Sequence, residues 1–363
     1  MFKILKTLTL RLTAAANIAV ILLMLVSGYS DRLSPADYPL LACMGMALPV
    51  FVLLNLAFLL LWVTLKWKMA WLPLAGFALA YVPISIYMPM NAAKEDGGKM
   101  LKVVSYNVCG YGGNFKYKDG FERVLAYLEA QDADIVCLQE DYDTWRRYVM
   151  QKYSTVYPYN DTLCLKVTKS YSNGLGIHSR FPIVKREQIE YKSEANGSVA
   201  YYLKMGSDTL LVVNNHLEST HLTIKDRAQY KHLIKGEMGS DTLREESMLL
   251  AGKLTRASVI RASAADAVHR YISEHSQYPT IVCGDFNDTP ISYSRHIISR
   301  GLTDCFEKAG RGLGLTFRQK GFFFRIDHIF CSQDFEPVRC EVDAETDISD
   351  HYPMLCWLKI KDK

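Results

Sequence analysis

Ile281-Val282-Cys283-Gly284-Asp285-Phe286-Asn287 is the stretch from which the rest of this chain is best read. The run 280–284 shows no polar alternation, as expected for a strand covered on both faces. Gly284 closes it, and Asp285 and Asn287 stand at its end. A lone Asp or Asn at a strand end usually caps the backbone and does nothing more. Several other places in the chain repeat the arrangement, and the repetition makes a candidate site.

Asn107 ends Val103-Val104-Ser105-Tyr106-Asn107, and Glu140 ends Ile135-Val136-Cys137-Leu138-Gln139-Glu140. Asn215 and His216 end Leu211-Val212-Val213-Asn214-Asn215-His216. Asp327 lies inside the apolar run 322–330, and Asp350-His351 precedes the last apolar run. Polar groups on strand ends sit on a rigid frame and can converge in one cleft.

Apolar patterning predicts strands over 101–108, 135–139, 174–178, 183–190, 200–204, 209–215, 280–284, 322–331 and 354–360. Helices are expected over 120–130, 243–273 and 292–299. No internal repeat or low-complexity tract is present. So many strands with helices between them imply an α/β (α+β) four-layer sandwich, two packed mixed β-sheets flanked by helices. Phe322-Phe323-Phe324 is expected to be buried strand, the alternative being an aromatic that touches substrate. His328 should face away from Asp327, since strand neighbours point to opposite faces. Gly110–Gly113, after Cys109, reads as a plain turn.

Composition changes sharply near residue 90. The first 90 residues hold six of the 42 basic and two of the 38 acidic residues, so they carry the whole net charge of +4. The remainder has 36 of each and is neutral, without the basic footprint of a protein that grips a polyanion along its length. Three apolar stretches, about 12–28, 40–65 and 69–90, match the roughly 20 residues a bilayer core requires. Asn17 lies within the first, and Pro83 should kink the third. A cleaved signal peptide is the alternative for the first stretch, but no small-x-small site precedes Asp31. Lys3, Lys6 and Arg11 before the first span, with Lys66 and Lys68 between the second and third, place those flanks in the cytoplasm. The soluble part, 100–363, then lies outside the cytoplasmic membrane behind a linker at 91–99. Lys94, Lys99 and Lys102 oppose this orientation, offset by Glu95 and Asp96. The span centres carry no charge, so nothing marks an ion path. Nine cysteines include no CxxC pair, which argues against a zinc ribbon or a thioredoxin-type site.

Seven ordered stretches together resemble one family. They are Ser105-Tyr106-Asn107-Val108, Leu138-Gln139-Glu140, Gly174-Leu175-Gly176-Ile177-His178-Ser179-Arg180, Asn215-His216-Leu217, Gly284-Asp285-Phe286-Asn287, Arg325-Ile326-Asp327-His328-Ile329 and Ser349-Asp350-His351-Tyr352-Pro353. The set is similar to the endonuclease/exonuclease/phosphatase superfamily, which includes pancreatic-type deoxyribonuclease, abasic-site endonucleases, neutral sphingomyelinases and inositol polyphosphate 5-phosphatases. The resemblance implies that Glu140 is the main ligand of Mg²⁺ or Mn²⁺, with Asn107 and Asp350 nearby. Such hard cations favour carboxylate, amide and water oxygens. It implies that Asp285 and Asn287 orient the attacking water and hold a phosphate oxygen. His351, oriented by Asp327, would be general base or phosphate binder, and His216 a second phosphate contact that donates a proton. Attack would be in-line, without a covalent intermediate.

The expected activity is thus hydrolysis of a phosphate mono- or diester. Membrane proximity favours a phospholipid or another membrane-associated ester. A metal-dependent nuclease comes second, given the neutral domain. An inactive binding module, or an accessory to transporting spans, comes behind both. The partners implied are the phosphate-ester substrate and the lipid bilayer, with nucleic acid not favoured; no protein partner is implied. His178, His221, His232, His269, His275 and His296 are expected to be structural or at the surface. The segment 218–241 contributes His221, Lys225, Arg227, Lys231, His232 and Lys235 beside His216. It reads as a solvated loop, with binding of an anionic group as the alternative.

Overall fold

The computed structural model of the chain describes residues 2–92, 98, 100–112, 119–141, 156–167, 172–193, 195–220, 226, 240–319 and 322–361. Most of the 91–99 linker, Gly113, and most of the basic segment after His216, with His221 and His232, lie outside the described residues.

Fourteen strands are described. In chain order they are β1 (Leu101–Asn107), β2 (Ile135–Gln139), β3 (Tyr159–Val167), β4 (Ser172–Ser179), β5 (Ile183–Ile189), β6 (Gly197–Met205) and β7 (Asp208–His216). There follow β8 (Thr280–Asp285), β9 (Thr303–Asp304), β10 (Phe317–Gln319), β11 (Phe322–Phe324), β12 (Asp327–Cys331), β13 (Phe335–Val342) and β14 (Met354–Ile360). Two six-stranded sheets form, ordered β13-β14-β1-β2-β4-β3 and β5-β6-β7-β8-β12-β9. Each has one parallel pair at its centre, β1 with β2 and β7 with β8, among antiparallel neighbours.

Strand alternation separates the layers. Val103, Ile135, Val212, Ile281 and Cys283 point into the core between the sheets. Val104 and Val136 face outward onto the helix Gly120–Gln131. Val213 and Val282 face outward onto Ala264, Ala265 and Val268 of the helix Ser240–Glu274. Both faces of each central strand are buried, so the sequence shows continuous apolar runs there. The result is the expected helix–sheet–sheet–helix sandwich. Asn214 ties the two sheets together, donating to Leu138 O at 2.9 Å and Gly176 O at 3.0 Å and accepting from Gln139 Nε2 at 2.7 Å.

The stretch 322–331 is two strands rather than one. Thr316 Oγ1 accepts from both Ile326 N (3.0 Å) and Asp327 N (3.2 Å) and interrupts the ladder. Phe322–Phe324 turns away to pair with Phe317–Gln319 in a two-stranded ribbon, and Phe323 is 57% exposed, against the buried-strand expectation. Strands β3 and β13 escaped prediction. Both lie at sheet edges, where polar and charged residues and Pro337 blur the apolar pattern. Cys109–Gly112 is a tight turn with four consecutive positive φ values, 45°, 61°, 61° and 111°.

Near the N-terminus, Lys3–Gly28 and Pro39–Leu65 are long and apolar enough to cross a membrane. A third candidate, Trp67–Leu79 with Tyr81–Tyr87, is bent by 62°. The break falls at Ala80, just before Pro83, which has no N–H to return to Leu79 O. Tyr29 Oη donates to that carbonyl at 2.8 Å instead. Asn17 is buried among these helices and explains its place in an apolar run. It donates to Asn55 Oδ1 at 3.1 Å and accepts from Trp62 Nε1 at 3.0 Å, while Asn55 donates to Pro73 O at 3.0 Å. Such buried side-chain hydrogen bonds help fix which helices pair.

Candidate active site

The parallel pairs set the site. β1 and β2 run together, β7 and β8 run together, and their C-terminal ends bring Asn107, Glu140, His216 and Asp285 to one edge. β12 runs antiparallel to β8 with Asp327 directly opposite Asp285, so Asp327 starts its strand at that same edge. β14 runs antiparallel to β1, and Asp350 and His351 immediately precede it. Gly284 is required here: a Cβ would collide with the carbonyl oxygen of Asn215, and its φ of 133° disfavours other residues. Glu140 and Asn287 also hold positive φ, 55° and 50°, an uncommon conformation that recurs at functional sites.

Asp285 is the hub. Its Oδ1 accepts from Asn287 N at 2.8 Å and its Oδ2 from Asn107 Nδ2 at 2.9 Å. His351 Nε2 lies 3.6 Å and His216 Nε2 3.7 Å from the same Oδ2. Asn107 Nδ2 also reaches Glu140 Oε1 at 3.2 Å, while its Oδ1 accepts from Cys109 N at 3.0 Å. In this orientation Asn107 joins two carboxylates; turning the amide over would offer its oxygen to a cation. Asn287 Nδ2 donates to Leu217 O at 3.0 Å, fixing the loop after β8.

The two histidines are held differently. His351 Nδ1 pairs with Asp327 Oδ2 at 2.9 Å. Burial by itself would lower the His351 pKa, but the charges of Asp327 and Asp285 raise it to about 10, so the ring is an imidazolium at neutral pH. Burial lowers the His216 pKa, partly offset by Asp285. Asn173 Nδ2, already committed to Ala195 O at 3.0 Å, faces His216 Nδ1 at 3.4 Å. That assigns the proton to Nε2, which points at Asp285 and, at 3.9 Å, Glu140.

The acids form a cluster with too little positive charge. Burial, then the neighbouring charge of Asp350, raises Glu140 to about 7. Burial raises Asp285 as well. Asp327 Oδ1 is buried without a hydrogen-bond partner. Such an oxygen-rich, charge-deficient donor set fits a hard divalent cation, which would restore the carboxylates to their ionised forms. The eight expected residues therefore meet in one place. A second cation arrangement was not foreseen: ligand atoms of Asp285, Asp327 and His351 lie within 4.8 Å of one another. In that trio His351 Nδ1 is already committed to Asp327, which leaves the Glu140 side the more open.

Several supporting residues carried no signal in the sequence. Asn173 orients His216. Gln319 Nε2 donates to Asp350 Oδ2 at 2.6 Å, and Phe317 packs edge-on to His351 at 5.1 Å. Arg261, buried on the long helix, pairs with Asp288 Oδ2 at 3.0 Å and donates to Glu218 O at 3.0 Å. A cleft of about 750 Å³ opens over Glu140, His216, Asp285, Asn287, Asp350 and His351. Of the remaining histidines, His178 and His328 are buried and His296 lies 3.6 Å from Asp31. His328 faces away from the site, its Nε2 donating to Asp288 O at 3.2 Å.

A two-sheet sandwich with acids, amides and histidines gathered at one edge defines a hydrolase of phosphate ester bonds. The chain belongs to the Endonuclease/Exonuclease/phosphatase family, whose model matches residues 104–351. Enzymes of this family depend on a divalent metal. A second model, a domain of unknown function (DUF8431), matches residues 10–87. No curated protein matches the chain in sequence. Among solved structures, the human Nocturnin catalytic domain with bound sulfate is similar at a TM-score of 0.53 and 15% identity, covering 72% of this chain and 94% of that one. An endonuclease/exonuclease/phosphatase from Bacteroides vulgatus gives 0.51 and 17%, covering 73% and 100%. D. rerio TDP2 complexed with a single-strand DNA product gives 0.51 and 18%, covering 72% and 100%. These likenesses concern the fold.

Proposed function

We propose that the protein is a membrane-anchored phosphoesterase that cleaves a phosphate mono- or diester by in-line attack of water, with Asp285, Asn287, His216, His351 and Asp327 as its catalytic set. The observation that carries this reading is the convergence of His216 and His351 on one carboxylate oxygen of Asp285. Mg²⁺ or Mn²⁺ held by Glu140, with Asn107 and Asp350, would neutralise charge on the phosphoryl group and leaving oxygen.

The remaining chemistry belongs to side chains. Asp285, anchored by Asn107 and by the Asn287 N–H, orients the water and accepts its proton. His351 is held protonated by Asp327, so it acts as a phosphate binder rather than a general base. His216 presents Nε2–H to the phosphate or the leaving oxygen. Preorganised donors of this kind are each worth a few kcal/mol in the transition state.

Residues 1–90 form the membrane region in this reading, 91–99 the linker and 100–363 the catalytic domain on the outer side of the cytoplasmic membrane. The basic flanks support that orientation. A reporter active only after export, fused after Lys363, should be active; activity of a cytoplasmic reporter instead would reverse it. The substrate is a membrane-associated phosphate ester. Side-by-side assays on phospholipids, inositol phosphates and DNA, with and without Mg²⁺, test this, and cleavage of DNA alone would make the protein a nuclease.

A further inference from the structure

One of the residues lining the catalytic cleft comes from the N-terminal segment. Met46, in the short turn Cys43–Ala47 at the head of the second apolar span, lines the same cleft as Asp285 and His351. Leu250 and Leu254 of the long helix, Phe324 of the ribbon and Ile326 just after it line the cleft too. Glu140, His216 and Asn287 line it as well. The cleft thus combines apolar lining residues with the polar ones of the site.

Two separate seams hold the N-terminal segment, and Met46 with it, against the domain. In the first, Gly45 lies so close to Ile291 that a Cβ would collide with the Ile291 carbonyl. Ile291, four residues past Asn287, packs with Met24, Leu48, Ala80 and Tyr87 of the helices. In the second, Arg325 Nη2 donates to Ile86 O at 2.6 Å, and Asn91 Nδ2 donates to Glu307 O and Gly310 O at 2.9 and 2.8 Å. With both seams made, the cleft cannot turn away from the membrane-facing segment. Nearby, Met248 and Phe323 are 66% and 57% exposed, an arrangement suited to a lipid surface.

We infer that the cleft takes an amphiphilic phosphate ester from the bilayer that the spans occupy, with the phosphate at Asp285 and His351 and the hydrocarbon along Met46, Leu250 and Leu254. This rests on the phosphoesterase reading above and adds a substrate subsite to it. A polyanion gripped along its length would call for several cations in the lining. Among the described lining residues the lysine and arginine cations are Lys166 and Arg261, the latter committed to Asp288.

The test uses the full chain in nanodiscs and a series of alkyl p-nitrophenyl phosphate diesters from methyl to hexyl. Each methylene buried in the subsite should raise kcat/KM about fourfold, the equivalent of ~0.8 kcal/mol. Partition into the disc also contributes to the slope, so the comparison is between variants. Met46→Gln and, independently, Leu254→Gln should each cut the slope to less than half of the wild-type logarithmic value. Because the slope is internal to each variant, a general loss of activity does not obscure it. Equal slopes in all three proteins overturn the subsite while leaving phosphoester hydrolysis intact. Absence of turnover on every ester, with Mg²⁺ present, overturns the phosphoesterase reading and the subsite with it. In a second arm, phosphatidylglycerol in the protein's own disc should be cleaved at least tenfold faster than in separate discs; equal rates contradict supply from the same bilayer.

Discussion

His351 Nδ1 lies 2.9 Å from Asp327 Oδ2, and this contact links the last catalytic segment to the second sheet. A buried carboxylate at that distance fixes the ring's orientation and holds its proton. Asp327→Asn keeps the shape and removes the charge. We expect kcat/KM to fall by about 10²-fold, the scale of a lost preorganised group. The His351 pKa is raised to about 10, so activity that needs the imidazolium persists up to that pH and is lost above it. In Asp327→Asn the basic limb should move to lower pH. A pH–rate profile with its basic limb unmoved would show that Asp327 does not hold this proton.

Glu140 should report on the metal. Its carboxyl titrates at about 7, so a good fraction is protonated at neutral pH before a cation binds. Binding of Mg²⁺ or Mn²⁺ should release protons, and affinity should weaken as pH falls below 7. Calorimetry in two buffers of different ionisation enthalpy measures the release directly. Glu140→Gln should abolish the release and weaken binding at least tenfold. Undiminished affinity in Glu140→Gln would exclude Glu140 as the ligand.

How much of this was legible follows from where each residue sits. The central strands were plain, because burial on both faces leaves unbroken apolar runs such as 281–283. Two edges were not: β3 and β13 carry the polar residues and proline that an edge tolerates, whereas the edge strand β5 was read from its sequence. The break at Arg325-Ile326 was invisible because it depends on Thr316, a residue ten positions earlier whose hydroxyl takes both backbone N–H groups. In the site, the residues gathered at the strand ends stood out by their order along the chain. Those that hold them, Asn173 behind His216 and Gln319 behind Asp350, act across sequence gaps with no spacing rule. Asn17 was conspicuous, but its partners Asn55 and Trp62 are defined only by helix packing.

Acid should destabilise the fold through His328 and His178. Burial lowers their pKa values to about 3 and about 4. For a histidine depressed in the folded state, the neutral form costs nothing above the unfolded pKa near 6.5, and stability is lost as pH falls below it. Each contributes about 1.4 kcal/mol per pH unit between ~6.5 and its folded value. His328→Gln, which keeps a donor for Asp288 O, should flatten the fall in Tm between pH 6.5 and 4.5. An unchanged slope would assign the acid sensitivity elsewhere.

The Asn17–Asn55–Trp62 network should matter for association of the N-terminal helices. Asn55→Leu removes the donor to Pro73 O and the acceptor for Asn17. We expect a loss of about 1 kcal/mol, the scale of interhelical hydrogen bonds in membranes. Unfolding by SDS titration measures it, and unaltered stability would show the network to be dispensable.

The central claim, a metal-dependent phosphoesterase centred on Asp285 and His351, is tested most directly by hydrolysis of bis-p-nitrophenyl phosphate and p-nitrophenyl phosphate by the purified full chain. The rate should depend on Mg²⁺ or Mn²⁺ and disappear with chelator. It should drop by at least 10²-fold, about 3 kcal/mol, in Asp285→Ala and in His351→Ala. Near-native turnover in both variants, or a rate indifferent to chelator, would contradict the account.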